Sequence, residues 1–411
     1  MYNIKLEDYI PAPRPATTDR IVAAHYYAAW KKDCSGIHNG FDDLHDFPER
    51  TPLMGYYDEE NPVVSDFETK WALEHGINCF IHCWYRYKEF ENMPVKREHL
   101  RCVHALHEGF FHSKYQSLMN FAIMFENNPR WANTTKDDLL NNLMPFWYEN
   151  YFRRENYLKI DNKPVLFVCQ KHILDDAFSS VDEQLETFEK CREYMKEKGF
   201  SGLIIACCLW GYQGEKEKEI FKDCDNRGYD FHFTYSSSYS PEKNYPSEEE
   251  IFNGQCDILK SRFEISPLRH TPTVSCFRDC TPRHSEAWAK KGYEFFRNET
   301  IYHQSPENFR KIIKKMKEMA DALPENSYGR KIFMIDNWNE WDEGHYVAPS
   351  HEFGFKYLQA IREELTLRDN LPDYRTPSDL GITDLNSSWE EPDLSEICKK
   401  KYRINPLKTG I

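Results

Sequence analysis

Short apolar runs rich in β-branched and aromatic residues recur along the chain, and longer polar or amphipathic stretches separate them. Eight can be read: Ile21 to Tyr27, Ile77 to Trp84, Leu118 to Phe125, Pro164 to Cys169, Gly202 to Leu209, Tyr229 to Tyr235, Thr273 to Phe277 and Lys331 to Ile335. Runs of this length without polar alternation predict strands buried on both faces, as in a parallel sheet. The intervening stretches carry helix signals. Asn61-Pro62 opens a helix that Gly76 closes, and Ser180 to Lys198 has apolar residues at helical spacing and stops at Gly199. Ser305-Pro306-Glu307 caps a third helix, whose buried stripe is Phe309, Ile312, Ile313, Met316 and Met319. Strand then helix, repeated eight times, predicts an α/β fold of the (β/α)8 TIM-barrel type. An open doubly wound sheet satisfies the same alternation and is the other architecture considered.

At 411 residues the chain fits one barrel with insertions. The expected organisation is an N-terminal extension over 1–19, a catalytic barrel over 20–365 and a polar, Pro-containing C-terminal extension over 366–411. That extension ends near the basic run Lys399-Lys400-Lys401 and is expected to wrap the barrel or stay partly mobile.

Charge narrows the partners. A net charge of -14 repels phosphate backbones and anionic lipid, so neither nucleic acid nor membrane is expected as a partner. Aromatic residues make up 15% of the chain, including 10 Trp and 25 Tyr, which supplies platforms for flat faces such as those of pyranose rings. The 13 cysteines lie largely inside apolar runs and read as reduced core thiols. Neither Cys79/Cys83 nor Cys276/Cys280 has zinc-knuckle spacing, so no metal is expected. No leader-like apolar segment opens the chain and no run approaches the roughly 18 apolar residues of a membrane span, so the expected location is cytoplasmic, or periplasmic if a signal sequence has been removed. Phosphate-binding glycine loops, the G-x-S-x-G elbow and H-E-x-x-H are missing from the sequence, and no cofactor is expected.

Chemistry concentrates at the strand ends, which in a barrel line one mouth. They carry His25-Tyr26-Tyr27, His82-Cys83-Trp84-Tyr85, Glu126-Asn127-Asn128, Gln170-Lys171-His172, Trp210, Tyr235, Arg278-Asp279 and, after the eighth run, Asp336-Asn337-Trp338-Asn339-Glu340-Trp341-Asp342-Glu343-Gly344. This last segment sets four acids beside two indoles where an α/β fold places its active site. Glu340 and Glu343 are the candidate catalytic carboxyls of glycosidic chemistry, which needs a protonated acid and a second group supporting the sugar centre. Three residues apart, they enter one pocket only if the backbone turns after the strand, and Gly344 permits such a turn. An acidic surface loop is the simpler alternative for the same residues.

The string Asn339-Glu340-Trp341-Asp342-Glu343-Gly344, followed by Glu352-Phe353-Gly354-Phe355-Lys356-Tyr357-Leu358, resembles the N-E-W-x-E-G signature and downstream segment of the glycoside hydrolase family 99-like (WbsX) proteins. Pro52 to Asp58, Gly76 to Ile81 with Trp84-Tyr85, Tyr157 to Leu166, and Arg278-Asp279 with Pro282-Arg283 are similar to further patches of that family, in one order over roughly residues 20 to 360. The resemblance implies a (β/α)8 barrel and retaining hydrolysis of an α-mannoside-type linkage through attack by the substrate's own 2-hydroxyl, giving a 1,2-anhydro sugar. Under it, Glu340 is the base for that hydroxyl and Glu343 the acid that protonates the leaving oxygen and later activates water. Tyr26, Tyr57, Trp84, Tyr85, Glu126, Asn127, Trp210, Tyr235, Asp336, Asn339 and Trp341 are the expected substrate-binding residues. The expected partner is an oligosaccharide or polysaccharide. The chain departs from the pattern at Cys83, where many relatives carry an acid, and at Phe125 to Asn128, a loose version of W-x-N-E-N. A glycosyltransferase or polysaccharide-biosynthesis protein of the WbsX type and a non-catalytic sugar-binding barrel are the other readings.

Overall fold

The computed structural model describes residues 9–32, 40–128, 130–209, 215–383 and 385. All eight apolar runs form strands: β1 Ile21–Tyr26, β2 Cys79–Arg86, β3 Asn120–Phe125, β4 Lys163–Val168, β5 Ile204–Cys208, β6 Phe231–Phe233, β7 Thr273–Val274 and β8 Ile332–Ile335. They pair in parallel in the order β6-β5-β4-β3-β2-β1-β8-β7. Between β6 and β7 a single parallel bridge joins His232 to His270, with the His232 N–H donating to Arg269 O at 2.8 Å and the Thr271 N–H to His232 O at 3.0 Å. The sheet therefore closes on itself, and the open doubly wound alternative is set aside.

Helices follow the strands on the outside: α1 Pro62–Glu74, α2 Val181–Glu197, α3 Glu215–Asn226, α4 Glu248–Ile265, α5 Pro306–Asp321 and α6 Lys356–Leu365. The cap residues act as read. Asn61, Ser180 and Ser305 accept hydrogen bonds from the backbone N–H groups of Val63, Glu183 and Asn308, satisfying donors that the first helical turn leaves unpaired. After β2 and β3 the connections break into short 3-10, α and π turns in place of one long helix.

The barrel interior is filled rather than hollow. His25 of β1 stacks on Phe233 of β6 at 5.7 Å, and Phe233 meets Phe167 of β4 at 5.1 Å. These strands are not neighbours in the sheet, so the contacts span the lumen. The described cysteines are all buried and free. No helix among the described residues is long and apolar enough to cross a membrane. Beyond α6 the chain returns to the C-terminal end of α1, where Asn370 donates to Glu74 O at 2.9 Å and the Asp373 N–H to the Glu74 carboxylate at 2.7 Å.

Candidate active site

The end of β8 builds the centre of the site. Asn337 takes a left-handed conformation (φ 45°), and the chain then forms a tight hairpin in which Asn339–Glu340 pairs antiparallel with His345–Tyr346. Gly344 closes the turn at φ 64°, where a Cβ would sit 2.8 Å from Asp279 O and 2.9 Å from Asp279 N. Only glycine fits that position. The turn resolves the spacing problem: Glu340 and Glu343 both face one cavity of about 650 Å³ on the side where the strands end.

Each carboxylate is held by several donors. Glu340 accepts from the Tyr235 hydroxyl, from Asn337 Nδ2 at 3.0 Å and from Arg283 Nη2 at 3.2 Å. Glu343 meets Arg278 Nη1 at 2.9 Å and His345 Nε2 at 2.8 Å, and its other oxygen contacts Arg283 Nη1. Arg283 also forks onto Asp342 with bonds of 3.0 and 2.9 Å, so one guanidinium ties three carboxylates of the hairpin together. Burial works against the Arg283 charge, but Asp342 and Glu340 outweigh it and hold its pKa above the usual arginine value. His345 completes the cluster through Nδ1, 2.6 Å from Asp336 Oδ1, while Ser275 donates to the other Asp336 oxygen.

Glu126, at the end of β3, lines the same cavity with Tyr85 and Tyr27. Burial, which favours the neutral acid, raises its pKa to about 7; the thiols of Cys169 and Cys83 pull the other way, and the Glu340 charge adds to the rise. Cys83, where the sequence departs from the family pattern, thus sits against a cavity carboxyl. Tyr235 is pushed well above its ordinary value by burial and by Glu340, so it remains a donor to that carboxylate.

The model of the family described as glycosyltransferase WbsX matches residues 133–361, more than half of the chain. The chain belongs to the WbsX family. This WbsX-family protein is 22% identical over 337 residues to the uncharacterized protein WxcX of Xanthomonas campestris pv. campestris (strain B100), a match covering 78% of this chain and 44% of WxcX. It therefore spans less than half the length of that relative. A solved glycoside hydrolase-like protein shares its fold with a TM-score of 0.59 at 14% identity, covering 88% of this chain and 99% of the other. The GH99 endo-alpha-mannosidase from Bacteroides thetaiotaomicron does so with a TM-score of 0.54 at 13% identity, covering 86% and 100%. At such identities the likeness is one of fold, the (β/α)8 barrel.

Of the residues expected to bind substrate in this WbsX-family chain, Tyr85, Glu126 and Tyr235 line the cavity with Glu340 and Glu343. Others point elsewhere. Tyr26 faces outward and donates to Glu68 on α1 at 2.8 Å, while its neighbour Tyr27 takes the cavity position. Trp84 likewise turns out, donating to the Tyr151 hydroxyl at 2.9 Å and packing on Trp147. Asn127 links strand ends through Nδ2 to Gln170 O at 2.8 Å. Tyr57, Asn339 and Trp341 anchor the hairpin from beneath: Trp341 Nε1 donates to the Tyr57 hydroxyl at 3.1 Å, and Asn339 Nδ2 to Glu59 at 3.2 Å. Asp336 reaches the centre only through His345. Trp210 lies outside the described residues.

Sequence reasoning places Arg278 at a strand end without giving it a role, and assigns no site role to Arg283, His345 or the aromatic wall of Trp288, Tyr293 and Phe296. Arg283 stands in the matched P-R patch and His345 directly follows Gly344, which are the available signals. Among the described residues, Glu340, Glu343 and His345 bring three potential metal donors within 4.8 Å, as do Cys207, Cys224 and His232 in the outer wall. In the first group Arg278 and Arg283 already supply the positive charge that the carboxylates attract.

Proposed function

We propose that this WbsX-family protein is a glycoside hydrolase that cleaves an α-linked, mannoside-like saccharide with retention, residues 20–365 forming its catalytic unit. The observation that carries the reading is the pair Glu340 and Glu343 facing one cavity at the barrel mouth. Glu340 draws the proton from the sugar's 2-hydroxyl, whose oxygen attacks the anomeric carbon to form a 1,2-anhydro sugar as the glycosidic bond breaks. Glu343 protonates the departing oxygen. Water then opens the anhydro ring, giving its proton to Glu343 while Glu340 returns its proton to the 2-oxygen. Tyr235, Asn337 and Arg283 donate to Glu340 and fix the position of its carboxylate at the cavity.

His345 answers the difficulty that two arginines pose for an acid at Glu343. A nitrogen-to-carboxylate contact of 2.8 Å needs one proton between the partners, and Nδ1 is committed to Asp336. That shared proton is the one Glu343 hands on. The test is a panel of aryl α-glycosides followed by NMR: retained anomeric configuration in the first-formed sugar supports the reading, and absence of turnover across the panel sinks it.

A second reading is a glycosyltransferase, as the family description has it. The arginines favour it, because a diphosphate leaving group needs cations more than it needs an acid. Transfer from a nucleotide-activated sugar to an acceptor, without hydrolysis of aryl glycosides, would decide for it.

A further inference from the structure

A second group of metal-ligating side chains takes no part in the reaction proposed above. Cys207 on β5, Cys224 on α3 and His232 on β6 are all completely buried, and one donor atom from each lies within 4.8 Å of the other two. The two sulfurs stand 3.6 Å apart. A disulfide holds its sulfurs at about 2.05 Å, whereas two thiolates on one tetrahedral zinc, with bonds of about 2.3 Å, stand roughly 3.8 Å from each other. The observed separation is close to the second arrangement. His232 supplies an independent sign. Neither nitrogen of its buried ring has a hydrogen-bond partner, and Phe221 packs edge-on against it at 4.9 Å. Asp225 Oδ1 lies 3.7 Å from Nε2, beyond hydrogen-bond reach, and is paired with Arg269 at 3.2 Å. Burial lowers the pKa of His232 to about 3, with Arg269, Lys171 and Arg262 adding to the fall, so the imidazole is neutral and keeps a lone pair for a ligand bond.

A buried polar ring without partners is costly, and a bond from its nitrogen to a metal offsets that cost. We infer that Cys207, Cys224 and His232 bind a thiophilic divalent ion, zinc by its chemistry, which ties α3 to the barrel wall. Two thiolates neutralise a divalent charge, so the loaded site places no net charge in the interior. Both thiol protons pass to solvent as the two sulfur–metal bonds form, while the neutral imidazole binds without losing one. Asp225 is at hand for the fourth position of the ion. The place of the site gives the ion a task. Between β6 and β7 the barrel closes through the single bridge of His232 to His270, and an ion on His232 secures that seam to β5 and α3. Sequence spacing gives no sign of this site, because its ligands come from three separate elements that only the closed barrel brings together.

The experiment titrates the intact chain, stripped with a chelator and kept reduced, first with cobalt(II) and then with zinc(II). One equivalent of cobalt should give a thiolate-to-cobalt charge-transfer band, and zinc should displace it. Zinc at a hundredfold excess over its Kd should raise the melting temperature by about 3 °C. A sulfur band also separates this site from Glu340, Glu343 and His345, a group without sulfur. Cys224→Ala should abolish the band, whereas Cys191→Ala, which removes a buried thiol of α2 outside the group, should keep it. His232→Gln removes no thiol and should weaken zinc binding by about tenfold or more, which keeps the test decisive even if Cys224→Ala fails to fold. If the wild-type chain gives no sulfur band, if the band survives in Cys224→Ala, or if mass spectrometry of the untreated protein finds Cys207 and Cys224 joined as a disulfide, the inference is wrong.

Discussion

Nε2 of His345 lies 2.8 Å from the Oε2 of Glu343, and the two residues are separated in sequence by Gly344 alone. The imidazole is completely buried, so it meets protein neighbours and not solvent. Those neighbours are Asp336 and Asn337 from the end of β8, Glu340 and Glu343 from the hairpin, Arg278 from the loop after β7, Tyr235 after β6 and His25 on β1. If the imidazole holds the proton that Glu343 delivers, His345→Gln should slow cleavage of poor leaving groups by about 10² or more and leave activated aryl glycosides nearly unchanged. Asp336→Asn should follow the same pattern. Equal losses on both substrate types would reduce His345 to a structural role.

The two glutamates should separate by substrate. Glu343→Gln is expected to retain turnover only where the leaving group needs no proton, whereas Glu340→Gln should lose both kinds. A 2-deoxy substrate should resist the wild-type protein. Steady-state rates on matched aryl glycosides check this, and efficient cleavage of the 2-deoxy compound would rule out attack by the 2-hydroxyl.

Arg283→Gln should be costly to the fold itself. Asp342 and Glu340 are buried beside it, and removing the guanidinium leaves their charges uncompensated. A loss of about 3–5 kcal/mol is expected, read from urea unfolding of the variant against wild type. A loss under about 1 kcal/mol would mean that the carboxylates find other partners or protons.

Stability should fall as pH rises through the neutral range. Burial raises the pKa of Glu68 to about 8, although Trp338 and Tyr26 donate to its carboxylate, and that of Glu126 to about 7. The folded chain thus keeps protons that the unfolded chain releases near the ordinary value of 4.5. Their contribution is fully present below that value and is lost as pH rises through about 7 for Glu126 and about 8 for Glu68. Glu68→Gln should flatten the dependence of stability on pH between roughly pH 5 and 9, removing a slope of at most about 1.4 kcal/mol per pH unit. Urea unfolding across that interval checks it, and an unchanged slope would contradict the burial argument.

Gly344→Ala tests the turn. The left-handed backbone and the approach of Asp279 leave no room for a methyl group, so a destabilisation of about 1–3 kcal/mol is expected, together with loss of whatever activity the hairpin supports. Calorimetric melting of the variant measures it, and an unshifted melting temperature would mean that the hairpin rearranges freely.

Much of this molecule was determined by the sequence alone. Eight short apolar runs rich in β-branched and aromatic residues marked the strands, the capping residues at Asn61, Ser180 and Ser305 placed three helices, and Gly344 announced the turn that brings Glu340 and Glu343 to one cavity. Which side chain of each strand end faces inward was not legible. Strands buried on both faces show no polar alternation, so nothing in the run itself distinguishes Tyr27 from Tyr26 or Tyr85 from Trp84; closure of the sheet decides it. Nor could local pattern reveal that Arg283, 57 residues before Glu340, would bind both glutamates. Such convergence is a product of where β7 lands beside β8, and it exists only once the barrel has closed.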